Sequence, residues 1–291
     1  MAKILLTGAT GFIGRTLLPR LVSADHDVAC PVRDPSSIAG IGARSIKMDL
    51  SAAVDVGRLP ESIDAVILLA QSPRYRDFPD GVSDMTSVNV SATGSLLAWA
   101  RAAGCGVVVL ASSGNVYEPY DRGLAEDAPV NPNSYYAATK AAAEHLLFGY
   151  RDRMAVTALR LFFPYGPGQR DRLIPHLIQA IDKGTPVTLA GIRDGIKLTP
   201  TYIDDVADVF AAALDNRWKG VVNVATPEIV SMRRLAMEIG ALLGKEPVFE
   251  QLGGAEPVTL VPDLKRLSGR YDTSGFRPLS EGLKRTVRDC A

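Results

Sequence analysis

The stretch KILLTGATGFIG, residues 3–14, joins a short apolar run to three glycines. The run KILLT (3–7) is typical of a buried strand, and the residues that follow the glycines place apolar side chains at helical spacing. Gly8 permits a sharp turn off the strand, Gly11 lets backbone N–H groups approach a phosphate, and Gly14 lets the helix pack against the strand. Because a helix N-terminus favours an anion, the stretch predicts a dinucleotide-binding turn.

Strand-like and helical segments continue to alternate beyond this turn. The strand-like segments are 27–32, 65–70, 106–112, 154–162 and 220–225, and the clearest helices are 11–24, 86–104 and 134–150. Short apolar strands that alternate with helices imply right-handed crossovers and a parallel sheet covered on both faces. We therefore expect an α/β fold with a Rossmann-type doubly wound parallel sheet.

The second half of the sequence is less regular. Proline and glycine cluster in FPYGPGQ (163–169), which marks a turn-rich exit from the sheet. In a chain of 291 residues we expect one large domain and one smaller lobe. The predicted dinucleotide-binding Rossmann domain comprises 1–163 plus 201–225, and the smaller α/β C-terminal substrate lobe comprises 164–200 plus 226–291.

Composition argues against several classes of partner. Lys plus Arg and Asp plus Glu each total 32, so the formal net charge is zero, and we expect neither nucleic acid nor a membrane as a partner. There is no signal-peptide core and no spanning apolar run, which predicts a cytoplasmic location. The three histidines and three cysteines lack metal-ligand spacing, so no metal is expected, and Cys30 and Cys105 are predicted to be buried, inert thiols.

The stretch PVRDP (31–35) bears on the choice of cofactor. NAD sites commonly place an acid at the end of the second strand, where this chain has Val32. Arg33 follows and can pair with the 2′-phosphate of NADP. A small register shift would instead make Asp34 a ribose ligand, and Arg33 would then be a solvated surface residue. We favour NADP over NAD.

The stretch NSYYAATKAAAEHLL (133–147) places Tyr136 and Lys140 four residues apart. Such residues share one helix face, so the ammonium would favour the ionised phenol of Tyr136, which could then exchange a proton with a hydroxyl undergoing hydride transfer. Tyr135 points elsewhere and is predicted to pack. The same spacing also arises by chance, and its position on a helix after a parallel strand is what favours a catalytic pair.

The stretch LASSGNVY (110–117) ends the strand before that helix. Ligands of parallel sheets bind at the carboxyl ends of strands, so we expect the Ser113 hydroxyl to bond a substrate carbonyl and Ser112 to support it. The alternative is a serine pair that only caps the strand.

These residues resemble the extended short-chain dehydrogenase/reductases, in particular the nucleotide-sugar epimerase/dehydratase group. The resemblance covers nearly the whole chain, through motifs that occur in the same order. They are TGATGFIG (7–14), MDL (48–50), LLA (68–70), NVSATGSLLAWARAAG (89–104), SSGNVY (112–117), YAATK (136–140), YGPGQ (165–169), YIDDVA (202–207) and VVNVA (221–225).

The resemblance implies a role for each matched position. Tyr136 would be the general acid/base, Lys140 would hold the nicotinamide ribose, and Ser113 would polarise the reacting carbonyl. Asp49 and Leu50 would contact the adenine. The cofactor-binding residues expected are Gly8, Thr10, Gly11, Phe12, Ile13, Gly14, Arg33, Asp49, Leu50, Leu69, Ala70, Gln71, Ala111, Ser112, Tyr136, Lys140 and Phe163. The substrate-binding residues expected are Ser72, Ser113, Asn115, Tyr136, Phe163 and Arg170.

The resemblance also implies a supporting residue and an assembly. Asn89 would sit in the helix beneath the active site, in a structural or water-relay role. A homodimer would form through the helices near 86–103 and 134–150.

The sequence departs from the family pattern at three positions. Phe163 replaces an asparagine that touches the substrate diphosphate, and Leu198, beside Lys197, replaces an arginine. Both changes weaken the case for a nucleotide-diphosphate substrate. Gly114 follows Ser113 where dehydratases have an acid, so a dehydratase is not expected.

The combined prediction is an NAD(P)-dependent enzyme that transfers hydride to or from a sugar-like secondary alcohol or ketone. An epimerase or 4-ketoreductase would act on a small-molecule sugar or nucleotide sugar. One alternative is a reductase of a small non-nucleotide carbonyl compound. The other is a non-catalytic dinucleotide-binding redox sensor, which would have no need of the Ser113, Tyr136 and Lys140 set.

Overall fold

The computed structural model describes residues 1–118, 120, 124–191, 193–254 and 259–290. Contacts divide the chain into two compact units. The first unit comprises Met1–Pro119, Pro129–Leu161 and Ala207–Val222, and the second comprises Tyr120–Ala128, Phe162–Val206 and Asn223–Ala291. Residues 120–128 join the second unit because Asn223 binds them: its Nδ2 donates to the Leu124 carbonyl at 2.8 Å, and its backbone N–H donates to Glu126 at 3.0 Å.

A seven-stranded parallel sheet organises the first unit. Its strands are β1 (Lys3–Thr7), β2 (Asp27–Val32), β3 (Arg44–Lys47), β4 (Ala65–Leu68), β5 (Val107–Ser113), β6 (Ala155–Leu161) and β11 (Gly220–Val224), the last of which contains a boundary between the units. Their order is β11-β6-β5-β4-β1-β2-β3, which reverses direction between β4 and β1. Ligands of doubly wound sheets bind at such a reversal, outside the carboxyl ends of the strands. The predicted Rossmann-type fold is confirmed.

Strand β3 was not predicted from the sequence. Its stretch RSIK has a single apolar residue, Ile46, and therefore lacks a strand pattern of its own. It is a strand because it pairs in parallel with β2, from Ala29 opposite Arg44 to Val32 opposite Lys47.

Helices cover the sheet of the first unit. They are α1 (Phe12–Ser23), α2 (Val82–Thr86), α3 (Ala92–Ala102), α4 (Tyr135–Phe148) and α6 (Ile203–Asp215), the last of which contains a boundary between the units. Leu96 and Leu97 of α3 and Leu147 of α4 share one buried cluster with Val108. Each such side chain contributes about 1.5–3 kcal/mol when fully buried. Val109 points to the opposite face and is also fully buried, so both faces of β5 are covered.

In its described residues, the second unit combines helices with three small sheets. Its helices are α5 (Leu173–Asp182), α7 (Met232–Leu243), α8 (Lys265–Ser268) and α9 (Leu279–Cys290). Its strands are β7 (Pro164–Tyr165), β8 (Val187–Ala190), β9 (Lys197–Leu198), β10 (Thr201–Tyr202), β12 (Val230–Ser231), β13 (Phe249–Leu252) and β14 (Thr259–Leu260). They pair as β10-β7, β12-β9-β14 and β13-β8, which gives an α/β unit as expected.

Two buried cysteines agree with the prediction of inert thiols. Burial raises the pKa of Cys30 to about 12 and that of Cys105 to about 11, so both stay protonated at neutral pH. In the described part of the chain, no helix has the length and apolarity needed to cross a membrane. Within the same ranges, no three His, Cys, Asp or Glu side chains come together as a metal-binding group.

Candidate active site

The glycine turn between β1 and α1 is tightly packed at two of its three glycines. Gly8 has φ +68°, and a Cβ there would lie 2.8 Å from the backbone nitrogen of Ala70. A Cβ on Gly14 would lie 2.1 Å from the Gly8 carbonyl oxygen. A side chain at Gly8 would therefore push β1 away from the segment after β4. A side chain at Gly14 would push α1 away from the end of β1.

Gly11 differs, because it is exposed and a Cβ there would meet only the Gly8 carbonyl oxygen, at 3.1 Å. It stands at the N-cap of α1, where no side chain caps the helix. The first-turn N–H groups, from Phe12 to Gly14, have no intrahelical acceptors. This open cradle fits the pyrophosphate of a dinucleotide.

Thr7 supports the turn, and sequence reasoning missed it. Its buried Oγ1 accepts hydrogen bonds from the N–H groups of Leu69 and Ala70, both at 3.2 Å. These bonds hold the end of β4 against the end of β1, where the strand order reverses. A threonine directly before Gly8 was the available signal.

The ends of β2 and β3 present one cation and two carboxylates bonded to neighbouring residues. Asp34 accepts from the N–H and hydroxyl of Ser36, and these bonds lower the pKa of Asp34. Asp49 is bonded in the same way to Ser51, which lowers its pKa. Arg33 is exposed beside them. Leu50, predicted to contact adenine, packs in the sheet core with 9% exposure.

Helix α4 positions the tyrosine and the lysine one turn apart. Ser134 caps the helix, since its hydroxyl accepts from the Ala137 N–H at 3.3 Å. The Lys140 Nζ lies 5.9 Å from the centroid of the Tyr136 ring and donates to the Ala111 carbonyl at 3.0 Å. Burial lowers the pKa of Lys140 to about 8, although Glu144 partly opposes this. The buried ammonium therefore lies near the carboxyl end of β5.

The two adjacent tyrosines face different neighbours. The Tyr136 hydroxyl donates to Oε1 of Gln71 at 3.1 Å, and its ring meets the edge of Tyr75 with centroids 5.4 Å apart. The Tyr135 hydroxyl instead lies 2.6 Å from that of Thr86 on α2. Tyr135 thus packs within the first unit, as the sequence predicted, and Tyr136 faces the segment that follows β4.

Ser113 is the last residue of β5 and is almost buried, with 8% exposure. Its hydroxyl accepts from the Asn115 N–H at 3.2 Å and donates to the Asn115 side chain at 3.1 Å, which caps a short 3₁₀ turn. Both serine and asparagine were predicted substrate contacts. They pair with each other here, and Ser113 stands two residues along β5 from Ala111, whose carbonyl binds Lys140.

The Ser112 side chain has a structural role. Its hydroxyl donates to Glu144, which binds Arg160 through Nε at 3.0 Å and Nη2 at 2.7 Å. All three side chains are buried, and Arg160 stacks over Tyr117 at 4.6 Å from the ring centroid. The hydroxyl is therefore committed to the α4–β6 contact, which fits the supporting role predicted for Ser112 better than a direct side-chain contact to cofactor.

Asn89 connects the loop after β4 to α4. It lies in a π-helical turn, Ser87–Ser91, that interrupts the regular helix predicted over 86–104. Its Oδ1 accepts from the Ser72 N–H at 3.0 Å, and its Nδ2 donates to the Thr139 hydroxyl at 2.9 Å. Such π-turns are frequent at functional sites. Asn89 therefore occupies the kind of structural position that the family resemblance implied.

The expected substrate contact of the Ser72 side chain needs correction. Ser72 has no exposed surface, because its hydroxyl donates to Asp84 and accepts from the Arg74 N–H at 3.1 Å. These bonds stabilise the loop after β4 and leave no hydroxyl for a sugar.

Two predicted residues lie in the second unit. Phe163 is half-buried with φ +44°, a left-handed conformation that is rare for a bulky side chain. Its carbonyl accepts from the Thr201 N–H at 3.1 Å, which holds this backbone in place. Arg170 is exposed. Their ligand contacts stay predictions.

The sequence model of the NAD dependent epimerase/dehydratase family matches residues 4–225. The chain belongs to this family. The resemblance to the extended short-chain dehydrogenase/reductases is thereby confirmed, as is the predicted enzyme class of NAD(P)-dependent epimerases and reductases of that type.

Named members of the family match over most of the chain. A UDP-glucose 4-epimerase of Mycolicibacterium smegmatis is 34% identical over 98% of this chain and 97% of its own. A UDP-glucuronate 4-epimerase of Thermodesulfobacterium geofontis is 30% identical over 78% of this chain and 72% of its own. The Bacillus cereus UDP-glucuronic acid 4-epimerase, solved with UDP-glucuronic acid and NAD, superposes with a TM-score of 0.86 at 27% identity, covering 99% and 98% of the two chains.

Proposed function

We propose that this protein is an NAD(P)-dependent nucleotide-sugar epimerase that acts at a secondary alcohol by hydride transfer. The observation that carries the proposal is the buried Lys140 ammonium, one helical turn after Tyr136 and bonded to the end of β5. A cation held in a desolvated position is costly, so its presence beside a phenol favours proton chemistry over a sensor that only binds the dinucleotide.

The side chains divide the work as follows. Tyr136 takes the proton from the sugar hydroxyl during oxidation and returns it during reduction. Lys140 favours the ionised phenol by its charge, and the Ser113 hydroxyl would turn from Asn115 to donate a hydrogen bond to the carbonyl oxygen that forms. When bound, the nicotinamide cofactor accepts and returns the hydride. The exposed cradle at Gly11 and the first-turn N–H groups of α1 would hold its pyrophosphate.

The substrate class rests on the relatives, which include enzymes named for UDP-glucose and UDP-glucuronate. We infer a nucleoside-diphosphate sugar for this chain as well. Phe163 favours a second candidate, a reductase of a small non-nucleotide carbonyl compound, because its ring cannot donate to a diphosphate as an amide can. Arg170 and Lys197 are exposed cations in the same unit that could replace that contact.

We propose NADP as the preferred cofactor. Arg33 is exposed at the end of β2, and the carboxylates of Asp34 and Asp49 already accept hydrogen bonds from nearby serines. A 2′-phosphate would therefore meet a guanidinium. NAD is the alternative, since it is the cofactor in the Bacillus cereus structure.

We also propose a cytoplasmic homodimer formed through the helices near 86–103 and 134–150. Leu146 on α4 is 38% exposed, and a Cβ added to Gly94 on α3 would lie 3.8 Å from its Cδ1. Exposed Ala98 and Ala138 on the same two helices would let two copies approach closely. A Leu146→Arg variant should lower the molar mass measured by light scattering to that of a monomer. A dimer that survives this change would exclude this interface.

The activity is tested with purified protein, a panel of UDP- and dTDP-sugars, and either NAD or NADP. Epimerisation is followed by the C4 proton signals of the sugar, and net reduction of ketosugars or aldehydes by NADPH absorbance. Tyr136→Phe should keep cofactor-induced thermal stabilisation and lose about 10²–10⁴-fold in turnover. Turnover equal to wild type would exclude Tyr136 as the acid/base.

A further inference from the structure

The loop that follows β4, residues 71–81, contacts both tyrosines at the start of α4. The Gln71 Oε1 accepts a hydrogen bond from the Tyr136 hydroxyl at 3.1 Å, and the Tyr75 ring contacts the Tyr136 ring at an interplanar angle of 61°. Phe78, in the same loop, meets Tyr135 instead, with centroids 6.1 Å apart. The loop thus bonds the Tyr136 hydroxyl and packs against its ring.

Internal bonds hold this loop in shape. The Ser72 hydroxyl is bonded to Asp84 and to the Arg74 N–H, and its backbone N–H is bonded to Asn89. Arg74 and Asp77 form an ion pair at 3.1 Å, and the Gly81 N–H donates to the Asp77 carbonyl. A Cβ on Gly81 would lie 2.3 Å from the Arg74 carbonyl oxygen, so the loop closes tightly on itself. Its side chains therefore present a fixed surface.

We propose that Gln71 and Tyr75 are positioning residues for the acid/base. Gln71 accepts a hydrogen bond from the Tyr136 hydroxyl, and Tyr75 fixes the plane of the Tyr136 ring. This proposal rests on the proposed function of Tyr136. It gives Gln71, predicted only as a cofactor contact, a role in orienting the acid/base.

Two opposing interactions then act on the same phenol. An acceptor such as the Gln71 carbonyl oxygen stabilises the protonated form, whereas the Lys140 ammonium on α4 favours the ionised form. The loop contributes one further cation near the site, Arg76, whose guanidinium lies 5.3 Å from the Tyr75 ring centroid, on a ring that also contacts Tyr136. The loop thus orients Tyr136, while Lys140 on α4 stabilises its ionised phenol.

A Gln71→Met variant keeps side-chain length and removes the amide. Loss of one hydrogen bond is worth about 0.5–1.5 kcal/mol, so kcat should fall about 3- to 10-fold, with the KM for the sugar within twofold of wild type. Because the lost acceptor favoured the protonated phenol, the acid limb of the kcat profile should move to lower pH. An unchanged kcat, or an acid limb that stays in place or moves to higher pH, would overturn the role of Gln71.

Tyr75 is tested with two substitutions and a matched control. Tyr75→Phe keeps the ring and should keep kcat within twofold, whereas Tyr75→Leu removes the edge contact and should lower kcat about 3- to 10-fold. Phe78→Leu removes a ring from the same loop that faces Tyr135, and it should leave kcat unchanged. Equal losses in Tyr75→Leu and Phe78→Leu would mean that loop integrity, rather than contact with Tyr136, matters.

Failure of this inference is distinguishable from failure of the proposed function. If Tyr136→Phe is inactive while Gln71→Met and Tyr75→Leu match wild type, the positioning role is wrong and the acid/base assignment stands. If Tyr136→Phe itself matches wild type, the proposed function fails first.

Discussion

The Nζ of Lys140 is 3.0 Å from the carbonyl oxygen of Ala111 and 5.9 Å from the centroid of the Tyr136 ring. One ammonium therefore joins the end of β5 to the first turns of α4. Its side chain is 4% exposed, so the protein holds a nearly dehydrated charge beside the proposed acid/base. The Lys140 ammonium should therefore contribute to activity and at the same time lower the free energy of unfolding.

A Lys140→Met variant should be inactive and more stable at neutral pH. Burial lowers the folded-state pKa of Lys140 from 10.5 to about 8, so the protonated form destabilises the fold below pH 8. At about 1.4 kcal/mol per pKa unit this costs roughly 3.5 kcal/mol, and after subtracting about 1 kcal/mol for the lost hydrogen bond to Ala111, the gain is about 2–3 kcal/mol. Urea denaturation at pH 7 measures it.

The downward direction of the Lys140 pKa shift also predicts how the stability gained by Lys140→Met depends on pH. Between about 8 and 10.5 the unfolded lysine binds a proton that the folded one has lost, so wild-type stability rises with pH from this group. The advantage of Lys140→Met should therefore shrink across this window. A variant that is less stable than wild type at pH 7 would contradict the argument.

Gly11→Ala and Gly14→Ala should separate cofactor binding from folding. A Cβ at Gly14 would lie 2.1 Å from backbone, and we expect a loss of about 3 kcal/mol or more in the free energy of unfolding. At Gly11 the nearest atom is at 3.1 Å, so the fold should lose no more than about 1 kcal/mol. Gly11→Ala should nevertheless weaken dinucleotide binding at least tenfold, measured by titration calorimetry. Unchanged affinity would show that no phosphate approaches Gly11.

Arg33→Ala should change cofactor preference. If the exposed guanidinium binds a 2′-phosphate, NADP affinity should fall about 10-fold, because losing charge-assisted hydrogen bonds costs roughly 1.4 kcal/mol. NAD affinity should stay within twofold, since NAD has no 2′-phosphate. Fluorescence titration with NADPH and NADH measures both. A wild-type protein that already prefers NAD would exclude the role of Arg33, whatever the variant does.

Glu144→Gln should destabilise the first unit. Glu144 neutralises the buried Arg160, whose Nη1 has no hydrogen-bond partner among the described residues. Removing the charge of one partner of a buried pair costs about 3–5 kcal/mol. Asp182→Asn is a matched control, because the Lys245–Asp182 pair has a similar contact of 2.6 Å but is roughly half exposed, and it should cost at most about 1 kcal/mol. Similar losses in both variants would contradict the effect of burial.

Local patterns in the sequence were sufficient to predict the glycine turn and the Tyr136–Lys140 pair. The turn follows from the steric freedom of Gly8, and the pair follows from the four-residue repeat of a helix. Continuous apolar runs also predicted the central strands. A strand buried on both faces is apolar along its whole length, so its own sequence is enough to identify it.

Tertiary structure decided the rest. Tyr136 meets Gln71 across 65 residues of sequence, and Asn89 meets Thr139 across 50. Neither pair has a local signature, because a glutamine or an asparagine acquires a function only from the atom that folding places beside it. The same reason explains β3, which is a strand only through its pairing with β2, and Ser72, whose hydroxyl faces Asp84 because the loop closes over it. Sequence spacing thus determined which groups share one element, whereas packing between distant elements determined which of them touch.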